Sequence, residues 1–250
     1  MDCDAQGMLS IDALEALDPD SFDGFVVTNL YGIRKDFQAY SSLANKLDKA
    51  MLIDNAAGMG PKLPAWPYQA FSLHHTKPYG MGEGGLAIVP SEDREALAAL
   101  FGYGDLGGVH ASHWVNNGKL SELSCAYHLA RLETAPEWLP RYSMQAIRIH
   151  HLALRAGLTP LFENFNQHSP LNVAMSLPFL VPGAMDPTSL QNPTLVMAKY
   201  YQPLTGLPEA KALYRRIVNI PSHPDVARIP EEILFQELKD LAARSLSGGQ

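Results

Sequence analysis

The spacing of apolar residues predicts alternating strands and helices in the first hundred residues. Four short apolar runs have the length of buried strands, and after Asp36 apolar residues recur at three- and four-residue steps. That spacing places them on one stripe of a helix, and an aspartate is a suitable cap at its start. A second helix is predicted from Ser91. The predicted strands are Phe25–Val27, Met51–Ile53, Ala70–Leu73 and Leu86–Val89; the helix stripes are Phe37, Tyr40, Leu43, Ala44 and Leu47, then Ala96, Leu97, Leu100 and Phe101.

The second part of the chain has a different pattern. A glycine-dense loop (Gly102, Gly104, Gly107 and Gly108) leads into the polar run HASHWVNNGK, and two long helical patterns follow. Residues 160–193 are rich in proline and apolar residues, which is typical of strands and turns. Two helices are expected to close the chain, over residues 209–218 and from Pro230, whose ring suits a first helical position. The stripes of the long helices are Leu120, Leu123, Tyr127 and Ala130, then Leu139, Tyr142, Ala146, Ile149 and Ala153.

The order of these elements predicts the fold class. Strand, helix and strand in succession imply right-handed crossovers and an α/β fold with a mainly parallel sheet. The proline-rich stretch and the closing helices then form a second, smaller unit. A chain of 250 residues is long enough for this arrangement.

Composition and charge narrow the classes of function. Hydrophobic residues make up 46% of the chain and charged residues 18%, as in an ordinary globular protein. The net charge of −7 argues against a nucleic-acid-binding surface. The apolar runs are all shorter than a membrane span, and the acidic opening MDCDAQG lacks the pattern of a secretory signal. We therefore expect a cytoplasmic protein with neither a membrane nor a nucleic acid as partner.

Cysteine and histidine positions give no metal site by sequence alone. Cys3 and Cys125 are far apart, so neither a disulfide framework nor a metal motif is indicated. The pairs His74-His75 and His110/His113 suggest metal binding, but the sequence places no carboxylate or cysteine at ligand spacing beside them. The expectation from the sequence is no metal.

Polar residues at the ends of two predicted strands mark the candidate site. Ligands of open parallel sheets bind outside the carboxyl ends of the strands. Asp54 ends the second predicted strand, Ser72 lies in the third, and Thr76 and Lys77 follow just beyond it. The next stretch, PYGMGEGG, lets the backbone approach a ligand closely. It is not a dinucleotide-binding fingerprint, because a strand rather than a helix follows it, so an unrelated nucleotide-binding protein is disfavoured.

Three stretches resemble the DegT/DnrJ/StrS-type sugar aminotransferases, and they occur in that family's order. LIDNAAGMG looks like the family's acidic segment, FSLHHTKPYGMGEGGLAIV is similar to its lysine segment, and VNNGKLSELSCAYHLARLE resembles the segment that begins a long helix. Weaker similarity continues through YYQPL and IVNIPSHPD. The resemblance implies the type I fold of pyridoxal-phosphate-dependent transferases. It further implies a partial large domain over residues 1–118, and an interdomain helix with a small C-terminal α/β domain over residues 119–250.

The resemblance also implies roles for four residues. Lys77 would bind pyridoxal 5'-phosphate covalently as a Schiff base and move protons during the reaction. Asp54 would pair with the nitrogen of the pyridine ring, and Ser72 would bind the phosphate. Asn117 would contact the cofactor of a neighbouring subunit, so that a homodimer shares its active sites. The loop from Gly82 to Gly85 would bring backbone near the site, and Glu83 is given no catalytic role.

The chemistry that the resemblance implies is transfer of an amino group from glutamate or glutamine to a nucleotide-linked keto-sugar. Relatives that act as sugar dehydratases carry histidine in place of the lysine, whereas this chain keeps Lys77. Tyr200 and Tyr201 are candidates to line the sugar site, although packing in the small domain is the favoured interpretation.

Two departures from the family pattern support an alternative. Ala57 stands where the family commonly has glutamine or histidine near the ring hydroxyl. The chain also starts at a point equivalent to the middle of the family's large domain, without the Ser-Gly-Thr turn that holds the cofactor phosphate. A fragment, or a start codon assigned too late, is the favoured origin, and we expect the 250 residues alone to bind the cofactor poorly. The alternative is a catalytically silent family member that acts as a partner or regulator.

Overall fold

The computed structural model describes residues 1–34, 36–103, 116–162, 173–190 and 192–247. Strands and helices alternate in the first half, and long helices flank short strands in the second. The helices are α1 (Ile11–Glu15), α2 (Gln38–Leu47), α3 (Arg94–Phe101), α4 (Glu122–Glu133), α5 (Ala135–Arg155), α6 (Pro208–Arg216) and α7 (Glu231–Ser247). The strands are β1 (Gly24–Thr28), β2 (Ala50–Asp54), β3 (Gln69–Ser72), β4 (Gly85–Ile88), β5 (Thr159–Pro160), β6 (Ser176–Leu180) and β7 (Ile217–Pro221).

The first sheet has the order β1-β2-β3-β4. β1 and β2 are parallel over five residue pairs, and β2 and β3 are parallel from Ile53↔Gln69. β4 then returns antiparallel to β3 with Ser72 opposite Gly85. The four predicted strands are therefore confirmed, and so is the mainly parallel sheet. The parallel order brings the carboxyl ends of β2 and β3 to the same edge.

Alternation along the strands separates a buried and an exposed face of this sheet. Val27 and Ile53 are paired and fully buried, in one core with Tyr40 of α2. The Tyr40 hydroxyl donates to the carbonyl oxygen of Leu9 at 2.7 Å, so the buried phenol is satisfied. On the opposite face, Val26 is 54% exposed. The helix stripe predicted after Asp36 is confirmed, and the Asp36 carboxylate accepts the Gln38 N–H at 2.8 Å.

The second sheet, β5-β6-β7, is antiparallel and forms its own core with α5 and α7. Leu177 and Phe179 of β6 and Val218 and Ile220 of β7 are almost completely buried there. Residues of this part of the chain also complete the core of the first sheet, namely Leu161, Phe162 and Ile217. The boundary between residues 118 and 119 stays a prediction.

Two predictions about helices were wrong, and a third prediction concerns residues outside the described ranges. The helix expected to reach residue 218 ends at Arg216, because Ile217 and Val218 are buried in β7. In α3 the fully buried residue is Ala99 instead of the predicted stripe, in which Ala96 is exposed. The glycine loop from Gly104 onward, together with His110 and His113, lies outside the described residues.

Candidate active site

Lys77 lies in the loop between β3 and β4, and backbone hydrogen bonds hold this loop. The Lys77 N–H donates to the His74 carbonyl at 2.8 Å, and the Gly80 N–H donates to the Lys77 carbonyl at 2.9 Å. The β3–β4 ladder also continues into the loop, where the His75 N–H donates to the Gly82 carbonyl at 2.7 Å. The loop is thus a structured extension of the hairpin, and the Lys77 side chain is half-buried in it.

Helices α4 and α5 hold the outer side of this loop. The Arg131 guanidinium donates to the carbonyl oxygen of Pro78 at 2.8 Å and lies over the Trp138 ring at 3.7 Å. Trp138 packs edge-on against Tyr79, with ring centroids 5.0 Å apart. The buried His128 places its Nε2 3.1 Å from the Glu83 carbonyl oxygen. Contacts to both halves of the loop therefore fix the backbone around Lys77.

Asp54 and Ser72 lie at the neighbouring strand ends. Oδ1 of Asp54 accepts the Ala56 N–H at 3.1 Å, which turns the chain back across the edge of the sheet. The Ser72 N–H donates to the Ala56 carbonyl at 3.3 Å, and Ser72 Oγ accepts the His74 N–H at 3.2 Å. The turn after Asp54 is thereby attached to the segment that leads to Lys77.

A close backbone contact positions Ala57 at the end of that turn. Gly32 has φ +71°, and a Cβ at Gly32 would lie 2.0 Å from the Ala57 carbonyl oxygen. Only glycine permits this approach. Beneath the turn, the Asn29 amide donates to the buried Asn55 side chain at 2.6 Å, and Asn55 donates to Gln69 at 3.1 Å. A buried amide network therefore supports the segment that carries Asp54 and Ala57.

Lys77 opens into a cavity of about 290 Å³ between the two sheets. Its walls come from the lysine loop, the Ala57 turn, the start of β6 and a tyrosine pair after residue 199. The Tyr31 and Tyr201 rings are 5.3 Å apart, and both residues have positive φ, 58° and 63°. Such backbone conformations are uncommon for bulky residues and recur at functional sites. The lining residues are Tyr31, Ala57, Thr76, Lys77, Pro78, Ala174, Met175, Ser176, Tyr200 and Tyr201.

The charge of Asp54 reaches this cavity. Desolvation raises the pKa of Tyr201, and the nearby Asp54 carboxylate raises it further because a second anion beside it is unfavourable. Burial likewise raises the pKa of Tyr31, and its hydrogen bond with Asn219 opposes that shift. Asp54 is therefore near enough for its charge to act on Tyr201, which lines the same cavity as Lys77.

The predicted site residues differ in where they lie. Lys77 and Ala57 line the cavity, whereas Asp54 and Ser72 lie at the strand ends that support it. Asn117 is exposed and forms an isolated antiparallel β-bridge with Gly102. It is not one of the described residues that line the cavity. Its role towards a neighbouring subunit stays a prediction.

Some cavity residues were missed or interpreted differently in the sequence. Tyr200 and Tyr201 line the cavity and are 48% and 59% exposed, and Tyr201 also packs against Tyr31; a role of the two rings towards a sugar stays a prediction. Tyr31 lies three residues beyond the first strand, near the edge at which Asp54 ends the second, and that position was the signal for it. Met175 and Ser176 enter from the second sheet, and no local pattern indicated them.

A second lysine has an unusual environment. Lys199 Nζ is buried with no hydrogen-bond partner among the described residues, and it lies 5.0 Å from the centre of the Tyr214 ring. Burial lowers the pKa of Lys199 to about 8, against the opposing charge of Asp186. Lys199 is not among the described residues that line the cavity. Its reaction with an aldehyde is therefore a reference against which that of Lys77 can be compared.

Fold and site together define a class of protein: an α/β protein in which a loop lysine lines a cavity at the carboxyl edge of a mainly parallel sheet. Residues 2–233 match the model of the DegT/DnrJ/EryC1/StrS aminotransferase family, and the chain belongs to this family. The type I fold of pyridoxal-phosphate-dependent aminotransferases is thereby confirmed. Across the described ranges, none of the helices combines the length and apolarity that crossing a membrane requires.

Solved structures share this fold. A DegT DnrJ EryC1 StrS aminotransferase from Brucella abortus is 17% identical with a TM-score of 0.79; the match covers 97% of this chain and 72% of that one. PseC of Helicobacter pylori, an aminotransferase involved in the biosynthesis of pseudoaminic acid, is 18% identical with a TM-score of 0.80; the match covers 97% and 73%.

A curated relative matches over a shorter stretch. Protein Rv3402c of Mycobacterium tuberculosis strain H37Rv is 28% identical over 124 residues. That alignment covers 45% of this chain and 30% of the length of the relative.

Proposed function

We propose that this protein is a sugar aminotransferase that uses pyridoxal 5'-phosphate. In the overall reaction, glutamate or glutamine gives its amino group to a nucleotide-linked keto-sugar, and the products are the corresponding 2-oxo acid and an amino-sugar. The observation that carries the proposal is that Lys77 lines the cavity, while Asp54 ends the strand next to the one that leads to Lys77. Family membership supports the class of reaction.

The residues around the cavity fit the proposed cofactor in chemical type. A half-buried primary amine at Lys77 suits covalent attachment to an aldehyde, and a carboxylate at Asp54 suits pairing with a protonated ring nitrogen. The hydroxyl of Ser72 suits a phosphate. When bound, the cofactor supplies an electron sink that stabilises negative charge on the carbon that bears the amino group.

The chain's own groups then do the positioning and proton transfer. Lys77, with its backbone fixed on both sides, holds an amine that takes and returns a proton. Arg131 keeps Pro78, and hence Lys77, in place through the hydrogen bond at 2.8 Å. A negative charge on the Asp54 carboxylate would favour protonation of a basic ring nitrogen that binds beside this carboxylate.

The tyrosine faces support a sugar nucleotide as the acceptor. Tyr31, Tyr200 and Tyr201 offer apolar rings and hydroxyl groups to one cavity, the combination that binds a polar ligand with flat groups. Among proteins of similar fold, DesI was solved in the presence of its TDP-sugar product, at 22% identity and a TM-score of 0.71.

We infer that the active unit is a homodimer in which Asn117 reaches the partner's site. One face of α4 supports this, since Leu123 and Tyr127, one helical turn apart, are 67% and 54% exposed. Exposed apolar side chains in a row mark interaction surfaces. Sedimentation of Leu123→Glu tests it. The variant is expected to be monomeric where the unmodified chain is dimeric, and Leu246→Glu, on α7, is the matched control.

A catalytically silent family member is the second candidate, and Ala57 is the observation that favours it. Ala57 lines the cavity and offers a methyl group where the family pattern has a hydrogen-bonding side chain. In that case Ala57→Gln would raise cofactor affinity without creating transamination.

The direct test of activity is a half-reaction. The protein is incubated with pyridoxal 5'-phosphate and glutamate or glutamine, and formation of the 2-oxo acid is followed against Lys77→Ala. The proposal expects 2-oxo acid that depends on Lys77, with at least a 100-fold loss in the variant. Equal, slow conversion by both proteins would contradict it, because free cofactor then accounts for the reaction.

A further inference from the structure

A histidine pair and a carboxylate meet in the loop between β3 and β4 that carries Lys77. The ligand atoms of His74, His75 and Glu83 all lie within 4.8 Å of one another. Nε2 of His74 is 3.3 Å from Oε1 of Glu83, and the two imidazole centroids are 3.9 Å apart. The sequence showed no carboxylate beside this pair. That interpretation is corrected by the hairpin, which returns Glu83 to the histidines.

We propose that His74, His75 and Glu83 form a binding site for a divalent transition-metal ion. Two imidazole nitrogens and one carboxylate oxygen are a ligand set that zinc takes in proteins, with one further position left for water. This inference concerns the chain's own side chains and does not rest on the proposed aminotransferase function.

The distances suit a small tetrahedral ion. With zinc–nitrogen and zinc–oxygen bonds near their usual lengths, two ligand atoms of a tetrahedral site are about 3.4 Å apart. His74 and Glu83 already have this separation, 3.3 Å. The His75 nitrogen is at most 4.8 Å from the other ligand atoms. Because the His75 and Glu83 side chains are exposed, rotation about their own bonds closes the remaining gap of at most roughly 1.4 Å.

The backbone is already fixed in the arrangement that the site needs. The His75 N–H donates to the Gly82 carbonyl at 2.7 Å, and the Leu73 N–H donates to the Gly84 carbonyl at 2.9 Å. Gly82 and Gly84 have φ of +101° and +149°, which lets the returning strand turn between these bonds. His128 holds the Glu83 carbonyl from α4. Metal binding thus requires side-chain movement and little ordering of the chain.

Thr76 supplies the outer partner that a metal-binding histidine usually has. Its Oγ1 lies 2.7 Å from Nδ1 of His74. A hydroxyl there can accept the Nδ1–H, which leaves the Nε2 lone pair directed at Glu83 and free to bind a metal. Without a metal, the Thr76 N–H donates to Nδ1 at 3.3 Å, so Nδ1 is then an acceptor and the ring proton lies on Nε2, towards Glu83. Metal binding at Nε2 therefore requires the other tautomer, in which Oγ1 of Thr76 accepts the proton on Nδ1.

The ligand types select the class of ion. Imidazole ligands suit zinc, copper and nickel, whereas magnesium and calcium prefer sites made entirely of oxygen. Zinc is the probe for the test, and magnesium is the negative control.

The experiment is isothermal titration of zinc into the full chain, without cofactor and in a buffer that does not chelate metals. Wild type is compared with His75→Ala, Glu83→Gln and His223→Ala. His223 is the control because its side chain is 33% exposed, close to the 35% of His74, and its Nδ1 lies 3.8 Å from Asp225. Among the described residues, His223 and Asp225 have no third metal-ligating side chain beside them. His75 and Glu83 are exposed, so their variants are expected to keep the fold, which circular dichroism checks.

The proposal expects one zinc-binding event in wild type and in His223→Ala, at least about tenfold weaker in His75→Ala and Glu83→Gln. Magnesium gives no such event. If wild type binds no zinc, or if both site variants bind it as wild type does, the three residues are only a surface ion pair with a neighbouring histidine, and the proposal is overturned.

Discussion

The guanidinium of Arg131 donates two hydrogen bonds to the carbonyl oxygen of Pro78, at 2.8 and 3.3 Å. Pro78 follows Lys77 directly, so a residue of α4 determines where the lysine loop lies. Arg131 is itself held because its guanidinium stacks on Trp138, whose indole N–H donates to the Arg131 carbonyl at 3.1 Å.

Replacing Arg131 therefore tests whether α4 positions Lys77. Arg131→Ala is expected to lower the free energy of unfolding by about 1–2 kcal/mol, because a charged hydrogen bond and a stacked cation are lost together. Arg131→Lys keeps the positive charge but lacks the planar guanidinium group. It should therefore recover only part of the lost free energy of unfolding. Urea unfolding measures both. Arg141→Ala, an exposed arginine of α5, is the control and should change little; a similar loss there would refute a specific role for Arg131.

A second prediction concerns the charge that Asp54 brings to the cavity. Because the Asp54 carboxylate disfavours a second anion, Asp54→Asn is expected to lower the pKa of Tyr201. That pKa should still remain above its usual value, since desolvation is the larger cause. Ultraviolet titration of tyrosinate, compared with the same titration of Tyr201→Phe, measures the change. An unchanged titration in Asp54→Asn would mean that Asp54 does not face the cavity; Asp12→Asn, an exposed aspartate of α1, is the control.

A third prediction tests the close approach that places Ala57. Gly32→Ala puts a methyl group 2.0 Å from the Ala57 carbonyl oxygen at a positive φ, so the turn must move. The expected loss of unfolding free energy is roughly 2 kcal/mol. Gly60→Ala is the matched control, since its added methyl group meets no described atom within 4 Å. Equal stability of the two variants would show that Gly32 does not constrain the turn.

A fourth prediction follows from the buried ammonium of Lys199. Its pKa in the folded protein is about 8, below the usual 10.5, so the unfolded chain binds the proton more tightly. Lys199 therefore costs stability below pH 8, and this cost disappears as the pH rises from about 8 to 10.5. Lys199→Met is expected to raise the free energy of unfolding at pH 7 by about 1 kcal/mol, after allowance for solvent screening and the lost contact with Tyr214.

Urea unfolding at pH 7 and near pH 10 checks this prediction. The advantage of Lys199→Met should shrink at the higher pH. An advantage that grows with pH would contradict a lowered pKa. Lys239→Met, an exposed lysine of α7, is the comparison and should show neither effect.

Local patterns predicted most of the first sheet and the core of the candidate site. The runs around Val27, Ile53 and Phe71 are short and apolar, as is typical of parallel strands, and they became strands. The apolar pattern did not show that only one face is buried, since Val26 and Leu52 on the other face are exposed. Asp54 and Lys77 followed from the rule that polar residues at strand ends meet at one edge. In α5 the stripe from Tyr142 to Ala153 is buried as predicted, since its helical period is regular.

The remainder depended on contacts between distant segments. Ile217 continues the apolar pattern of α6, and only pairing with β6 decides that it belongs to a strand. The apolar stripe of α4 that contains Leu123 and Tyr127 is exposed. The sequence alone could not show this, because an apolar stripe does not tell whether it faces the core or an outer surface. Glu83 reaches His74 because β4 returns along β3, and Met175, which directly precedes β6, lines the same cavity as Lys77.

The central claim, that Lys77 is the residue that binds the cofactor, is tested most directly by labelling. The full chain is incubated with pyridoxal 5'-phosphate, reduced with borohydride and mapped by peptide mass spectrometry. The account predicts modification at Lys77 well above that at every other lysine, including Lys199, whose lowered pKa makes it the most demanding internal reference. Modification that favours Lys199, or that is spread evenly over the lysines, would contradict the account.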